Sequence, residues 1–231
     1  MRKGRLFIVG TPIGNLEDIT LRALKVLGDV DLIVAEDTRR ISKLLSHFGI
    51  SKPVISYHEH SGRSRIERIT SELLSGKDVA YVCDSGMPGI SDPGEELVAE
   101  ASGKGIDVIP IPGVSALTTA MSISGFPGNK FHFEGFLPRR KGARRERLRE
   151  LSNLSIPIVL YEAPHRIKGT LSDIRDIFGD CRVLLARELT KLHEEKIRGG
   201  IEEVCSIIEP LTPRGEYTIV IWKGDAAKKR G

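Results

Sequence analysis

Val79-Ala-Tyr-Val-Cys-Asp84-Ser-Gly-Met-Pro-Gly-Ile-Ser-Asp-Pro-Gly94 reads as a strand that runs into a loop of glycine and proline, with a helix beginning at its far end. A short unbroken apolar run bounded by turn residues suits a strand covered on both faces, as in a parallel sheet. Glycine lets main chain approach a ligand closely, and proline removes conformational freedom from the loop. The segment after Cys83 is therefore expected to be a rigid pocket wall. Two further loops share this composition, Val9-Gly-Thr-Pro-Ile-Gly-Asn15 and Pro110-Ile-Pro-Gly-Val-Ser-Ala116, and each follows a predicted strand. Open α/β sheets bind ligands beyond the carboxyl ends of their strands, so three such loops predict one site.

Outward from these loops the first half alternates strands (5–10, 31–35, 54–57, 79–83, 107–111) with helices (21–27, 38–48, 64–74, 94–103, 114–122). That alternation is the pattern of βα units around a parallel sheet. Gly49, Gly76 and Gly105 stand where helices should stop, since glycine takes the left-handed conformation without a Cβ clash. Ser124-Gly-Phe-Pro-Gly-Asn129 breaks the pattern and reads as a linker. The second half reads as strands 131–135, 158–161, 182–187 and 217–222, with a short one at 196–199, and helices 167–178 and 201–208. A basic loop and helix follow residue 138. The expected organisation is an α/β domain over 1–123 with a mainly parallel sheet, a linker at 124–129, a smaller mixed-sheet α/β domain over 130–224 and a flexible tail at 225–231.

The formal charge is +4 over 231 residues, but it is unevenly spread. Residues 138–150 hold seven Arg/Lys against Glu146 and Glu150, and Lys228, Lys229 and Arg230 add three more positive charges. Positive charge concentrated on a mildly acidic body is a footprint for a polyanion; the plainer reading is a solvated helix face. The longest apolar runs, such as Leu6 to Val9, are strand-sized, so no membrane span is expected. Cytoplasm is the expected compartment, as no secretory signal opens the chain. Cys83, Cys181 and Cys205 are scattered and read as core thiols, with neither a disulfide framework nor a metal site. Gly10-x-x-x-Gly14 lacks the spacing of a dinucleotide fingerprint, and no Gly-Lys-Ser/Thr follows it. A wall of amides without a charged cluster suits a small zwitterionic cofactor with a nucleoside portion.

Seven segments in order then carry a resemblance: Gly10-Thr-Pro-Ile-Gly-Asn-Leu-Glu-Asp-Ile-Thr20, Ala35-Glu-Asp-Thr-Arg39, the 84–94 loop, Pro112-Gly-Val-Ser-Ala116, Phe133-Glu-Gly-Phe-Leu-Pro-Arg139, Leu160-Tyr-Glu-Ala-Pro-His-Arg166 and Ala186-Arg-Glu-Leu-Thr-Lys191. Over about residues 5 to 222 the chain resembles the small-subunit ribosomal RNA methyltransferase I family, of the tetrapyrrole-methylase fold. The resemblance implies a two-domain homodimer that holds S-adenosylmethionine between its domains and methylates the ribose 2′-hydroxyl of a decoding-region cytidine in small-subunit (16S) ribosomal RNA. The substrate is expected to be RNA in an assembled or partly assembled subunit. The chain departs from the family after His58-Glu-His60, where Ser61-Gly62 replaces Asn-Glu, and it ends soon after Trp222, where longer members continue.

Carried over by motif, the cofactor contacts are Pro12, Asp84, Ser85, Gly86, Met87, Ile90, Ser115, Ala116, Tyr161, Glu162 and Ala163. Asp84 either accepts from the cofactor's ammonium or caps its own loop. A proton acceptor for the hydroxyl comes from Glu36, Asp37 or His165; Asp37 is equally suited to capping the helix that follows it. Arg39, Arg139, Arg140, Lys141, Arg144 and Arg145 are the expected phosphate contacts. Tyr57 and Phe136 are the aromatic residues placed to stack on a base, although core positions are the simpler reading for both. Two other functions fit the same residues: methylation of an acidic corrin precursor in the same cleft, and a non-enzymatic RNA-binding assembly factor. Seven basic residues in one stretch favour RNA over the first, and three rigid loops are superfluous to the second.

Overall fold

The strands Leu32–Ala35 and Val79–Val82 are buried along their whole length, and this two-sided burial makes them the interior of a parallel sheet. A computed structural model describes residues 2–58, 61–92 and 94–224. Its first compact unit, to Ser115, carries β1 (Arg5–Val9), β2 (Leu32–Ala35), β3 (Val54–Ser56), β4 (Val79–Val82) and β5 (Asp107–Ile111) in the order β3-β2-β4-β1-β5, all parallel. Alternate residues of each strand enter separate layers. Phe7, Val9, Ile33, Ala35, Ala80 and Val82 pack under α1 (Leu21–Asp29) and α2 (Thr38–His47). Leu6, Ile8, Leu32, Val34, Val79 and Tyr81 pack under α3 (Gly62–Leu74) and α4 (Gly94–Gly103).

Helix boundaries follow local chemistry. Thr20 caps α1 by accepting the Ala23 amide, and Asp37 caps α2 by accepting that of Arg39. Gly49, Gly76 and Gly105 all have positive φ, as expected of helix stops. Parallel strands place every carboxyl end at one edge of the sheet. β1 and β4 are neighbours there, yet β1 exits toward the α1 layer and β4 toward the α4 layer, which opens a crevice between their ends.

The second unit begins at Ala116. The division precedes the 124–129 stretch because α5 (Ala116–Ser124) packs on β10 and β8 and buries Leu117, Ala120 and Met121. Its sheet contains β6 (His132–Phe136), β7 (Ile158–Glu162), β8 (Arg182–Arg187), β9 (Glu195–Gly200) and β10 (Tyr217–Trp222), in the order β6-β7-β10-β8-β9. β6 and β7 are parallel and the other pairs antiparallel, so the sheet is mixed. One core unites this sheet with α6 (Lys141–Leu151), α7 (Ile167–Phe178) and α8 (Ile201–Ile208). Cys83 and Cys181 are buried and Cys205 is half-buried. No helix among the described residues is long and apolar enough to cross a membrane. The expected tail at 225–231 lies outside the described residues.

Candidate functional site

The three glycine-rich loops meet in the crevice of the first unit. Thr11 and Gly86 exchange two main-chain bonds: the Thr11 amide donates to the Gly86 carbonyl at 2.9 Å and receives the Gly86 amide on its own carbonyl at 3.1 Å. The third loop closes on the other two. A Cβ on Gly10 would lie 2.7 Å from Gly113 Cα and 2.7 Å from Met87 Sδ, and one on Gly113 would lie 2.9 Å from Gly10 Cα. Such approaches exclude any side chain, so both positions require glycine for space. The Gly113 amide also donates to Met87 Sδ at 3.2 Å. Gly86 and Gly89 both have φ +85°, a conformation that side chains oppose. Pro12, Ser85, Gly86, Met87 and Ser115 thus lie on loops that are locked together.

The far half of the 84–94 loop is organised by a residue that sequence reading passed over. Asp92 accepts the amides of Gly89 (2.6 Å), Ile90 (3.2 Å) and Gly94 (2.8 Å), and the Tyr81 hydroxyl donates to it at 3.1 Å. The signal was present: aspartate just before a helix is a capping pattern. Ile90, an expected cofactor contact, is therefore set by Asp92 through its amide and remains 40% exposed.

The two adjacent carboxylates after β2 face different surroundings. Asp37 accepts the Arg39 amide at 2.8 Å and pairs with the Arg39 guanidinium at 2.9 Å. Hydrogen bonding from Arg39 holds its pKa down to about 2. Asp37 is the cap of α2 and the ion-pair partner of Arg39, the second of its two expected roles, and its lowered pKa suits it less than Glu36 to accepting a proton. Arg39, expected on a phosphate, has this charge beside it. Glu36 behaves in the opposite way: burial first, then the charges of Asp84 and Asp92, push its pKa up, while the Asp84 amide and Arg40 pull it part of the way back. A carboxylate raised toward neutrality is suited to accepting a proton. Glu36 lines a cavity of about 1260 Å³ with Tyr57, His58 and Asp92, whereas Asp37, Asp84 and Pro12 line a separate notch of about 190 Å³. Asp84 accepts the Asp37 amide at 3.0 Å and faces Arg40 at 3.4 Å, so it bridges its loop to the start of α2. Glu59 and His60 of the departing stretch lie outside the described residues. No group of three His, Cys, Asp or Glu among the described residues could hold a metal ion.

In the second unit, Tyr161 packs edge-on against Phe133 and Phe136, with ring centroids 5.1 and 5.7 Å away. Phe136 is 57% exposed, so it is not core, while Tyr57 is buried. The Glu162 carboxylate turns inward. It accepts the Thr170 hydroxyl at 2.6 Å and the Ala163 amide at 2.9 Å, and pairs with Arg166 at 3.2 Å, so it is committed within its own unit. Ala163 follows it, Ala116 opens α5, and His165 is exposed in the turn after β7. The basic run divides into two groups. Arg139, Arg140 and Lys141 are exposed as expected. Arg144 is buried and pairs with Asp173 at 2.7 Å, and Arg145 pairs with Asp173 at 2.5 Å and Asp176 at 3.0 Å. These two arginines fasten α6 to α7; reaching a phosphate would strand Asp173, so their assignment to RNA is withdrawn.

Residues 5–205 match the family described as Tetrapyrrole (Corrin/Porphyrin) Methylases. The chain belongs to that family. A Thermotoga maritima protein called ribosomal RNA small subunit methyltransferase I is 54% identical over 218 residues, covering 94% of this chain and 98% of that one. Its counterpart of the same name from Halalkalibacterium halodurans is 48% identical, covering 95% of this chain and 76% of its own length. Among solved structures, uroporphyrin-III C-methyl transferase from Thermus thermophilus, complexed with S-adenosyl homocysteine, superposes with TM-score 0.67 at 18% identity, over 98% of this chain and 100% of that one. At that identity the likeness is one of tetrapyrrole-methylase fold.

Proposed function

We propose that this chain transfers a methyl group from S-adenosylmethionine to the ribose 2′-hydroxyl of a decoding-region cytidine in small-subunit ribosomal RNA. The observation that carries the reading is the cradle of Gly10, Gly86 and Gly113, locked by main-chain bonds at the carboxyl edge of the first sheet. Its walls are main chain and small side chains, which fit a small nucleoside cofactor and leave no room for side chains at Gly10 and Gly113. RNA is favoured over a tetrapyrrole substrate because the relatives at 54% and 48% identity carry the ribosomal RNA name, whereas the tetrapyrrole enzyme shares fold alone. An assembly factor without chemistry would need neither the cradle nor a carboxylate raised like Glu36. The reading includes a cytoplasmic homodimer acting on a partly assembled subunit, and sedimentation velocity tests the dimer.

When bound, the cofactor supplies a methyl group on a positively charged sulfur. The loop over 84–90 would hold its amino-acid end, with the Asp84 carboxylate as the acceptor for its ammonium. Rigid loops lower the ordering cost of placing the bound partner, and placement is a large contribution to an in-line displacement. Glu36 takes the hydroxyl proton, for which its raised pKa suits it. Mass-spectrometric mapping of ribose methylation in small-subunit RNA from a deletion strain should show one cytidine losing its methyl group, restored by the gene. An unchanged map would end the reading.

The cradle makes a second prediction. Gly10→Val places a side chain against Gly113 and Met87; it should cost about 1–3 kcal/mol as overpacking and abolish the one-to-one calorimetric binding of S-adenosylmethionine. Undiminished binding would show that the cofactor sits elsewhere.

A further inference from the structure

The second sheet gathers four connections at one edge. Phe136 is level with Tyr161, Glu162 and Arg187 are both level with Tyr217, and Arg187 is level with Glu195. The exits of β6, β7 and β8 and the entries to β9 and β10 therefore share that edge. Two of these connections are pinned by arginines from within the unit. Arg166 donates from Nη2 to the carbonyls of Leu137 (2.8 Å) and Pro138 (3.1 Å), and Arg187 donates from Nε to the carbonyl of Arg214 (2.8 Å). Each clamp is itself anchored, Arg166 on Glu162 at 3.2 Å and Arg187 on Glu195 at 2.8 Å.

What the clamps hold out is basic. Arg139, Arg140 and Lys141 follow the first pinned carbonyls, and Arg214 is the second pinned residue; all four are exposed, and none has an ion-pair partner among the described residues. The acidic side chains nearby are paired, Glu195 with Arg187 and Glu194 with Lys196, while Glu188 and Glu216 share Lys191 and leave one negative charge against the four free cations. The unbalanced charge at this edge is positive. β6 and β10 are separated by β7, so the strand ends that carry the two basic loops are about 10 Å apart, two inter-strand spacings. His165 lies on the connection between them. Cations presented together at one end of a sheet suit phosphates along one RNA strand, and pinning their main chain reduces the ordering cost of binding.

We propose that this edge is the RNA-docking surface of the second unit, and that Arg214, distant in sequence from the basic run, is its second phosphate contact beside Arg139–Lys141. The proposal rests on the ribosomal RNA reading above. Binding of the full chain to protein-free small-subunit ribosomal RNA, titrated with salt, tests it. Arg214→Gln should lower the slope of log affinity against log salt by about 0.7 to 0.9, the value of one lost phosphate contact, as should Arg140→Gln. Arg182→Gln, an exposed arginine at the opposite end of β8, should leave the slope unchanged. A parental slope in Arg214→Gln overturns the proposal, and so does an equal loss in Arg182→Gln, which would mean diffuse attraction. If the parent chain binds this RNA without salt dependence, the ribosomal RNA reading falls first and this one with it.

Discussion

Replacement of Glu36 by glutamine is expected to slow methyl transfer by about 10²- to 10⁴-fold, the usual contribution of a positioned base, while calorimetric affinity for S-adenosylmethionine stays at the parental value. The same variant should gain stability at neutral pH. Burial, Asp84 and Asp92 all oppose ionisation of Glu36, so its folded pKa lies above the ordinary 4.5. The unfolded chain ionises more readily, and the parent therefore loses stability as pH rises from the ordinary value through the folded one. Glutamine removes that loss. The melting temperatures of variant and parent should coincide at pH values below 4.5 and separate above it. Parental activity would remove Glu36 from the reaction, and a difference in melting temperature that ignores pH would mean that its pKa is not raised.

Asp173→Ala should be strongly destabilising to the second unit. The Asp173 side chain is 3% exposed and that of Arg144 is 9% exposed. Burial alone would raise the Asp173 pKa; Arg145 and Arg144 outweigh it and hold the carboxyl below its ordinary value. Removing the carboxylate leaves a buried guanidinium without compensation, which costs about 3–5 kcal/mol. Because the Asp173 pKa is depressed, the parent's advantage is present above the ordinary 3.8 and fades as pH falls through the folded value. Arg139→Gln, on the exposed side, should stay within about 0.5 kcal/mol of the parent. Urea unfolding of both variants decides the matter, and an Asp173→Ala protein as stable as the parent would return Arg144 to the list of available phosphate ligands.

The contrast between Arg139 and Arg144 shows what the sequence reveals and what it conceals. Strands such as Val79–Val82 and helix ends such as Gly49 are local events, written in apolar runs and in a residue that tolerates positive φ. The three loops were legible for the same reason. The basic run was only partly legible, since a charge has no address until its partner is known, and Asp173 and Asp176 arrive from another helix. A hint existed: Arg144, Leu148 and Leu151 fall at i, i+4 and i+7, so Arg144 lies on the buried face of α6. The start of the second unit at Ala116 was not legible, because nothing in an apolar helix states which sheet it will cover. Arg214 was invisible for a related reason. Only the antiparallel register of β10 with β7 brings it to the same end of the sheet as the exit of β6.

The reciprocal bonds between Thr11 and Gly86 also bear on how a small molecule leaves the first unit. Both amides are engaged, each by the other residue's carbonyl, so neither loop can open while the other stays closed. Deuterium should therefore enter the two amides at a common protection factor, set by one shared opening. A bound cofactor should slow both equally, and its escape will be governed by that joint event rather than by the flicker of a single loop.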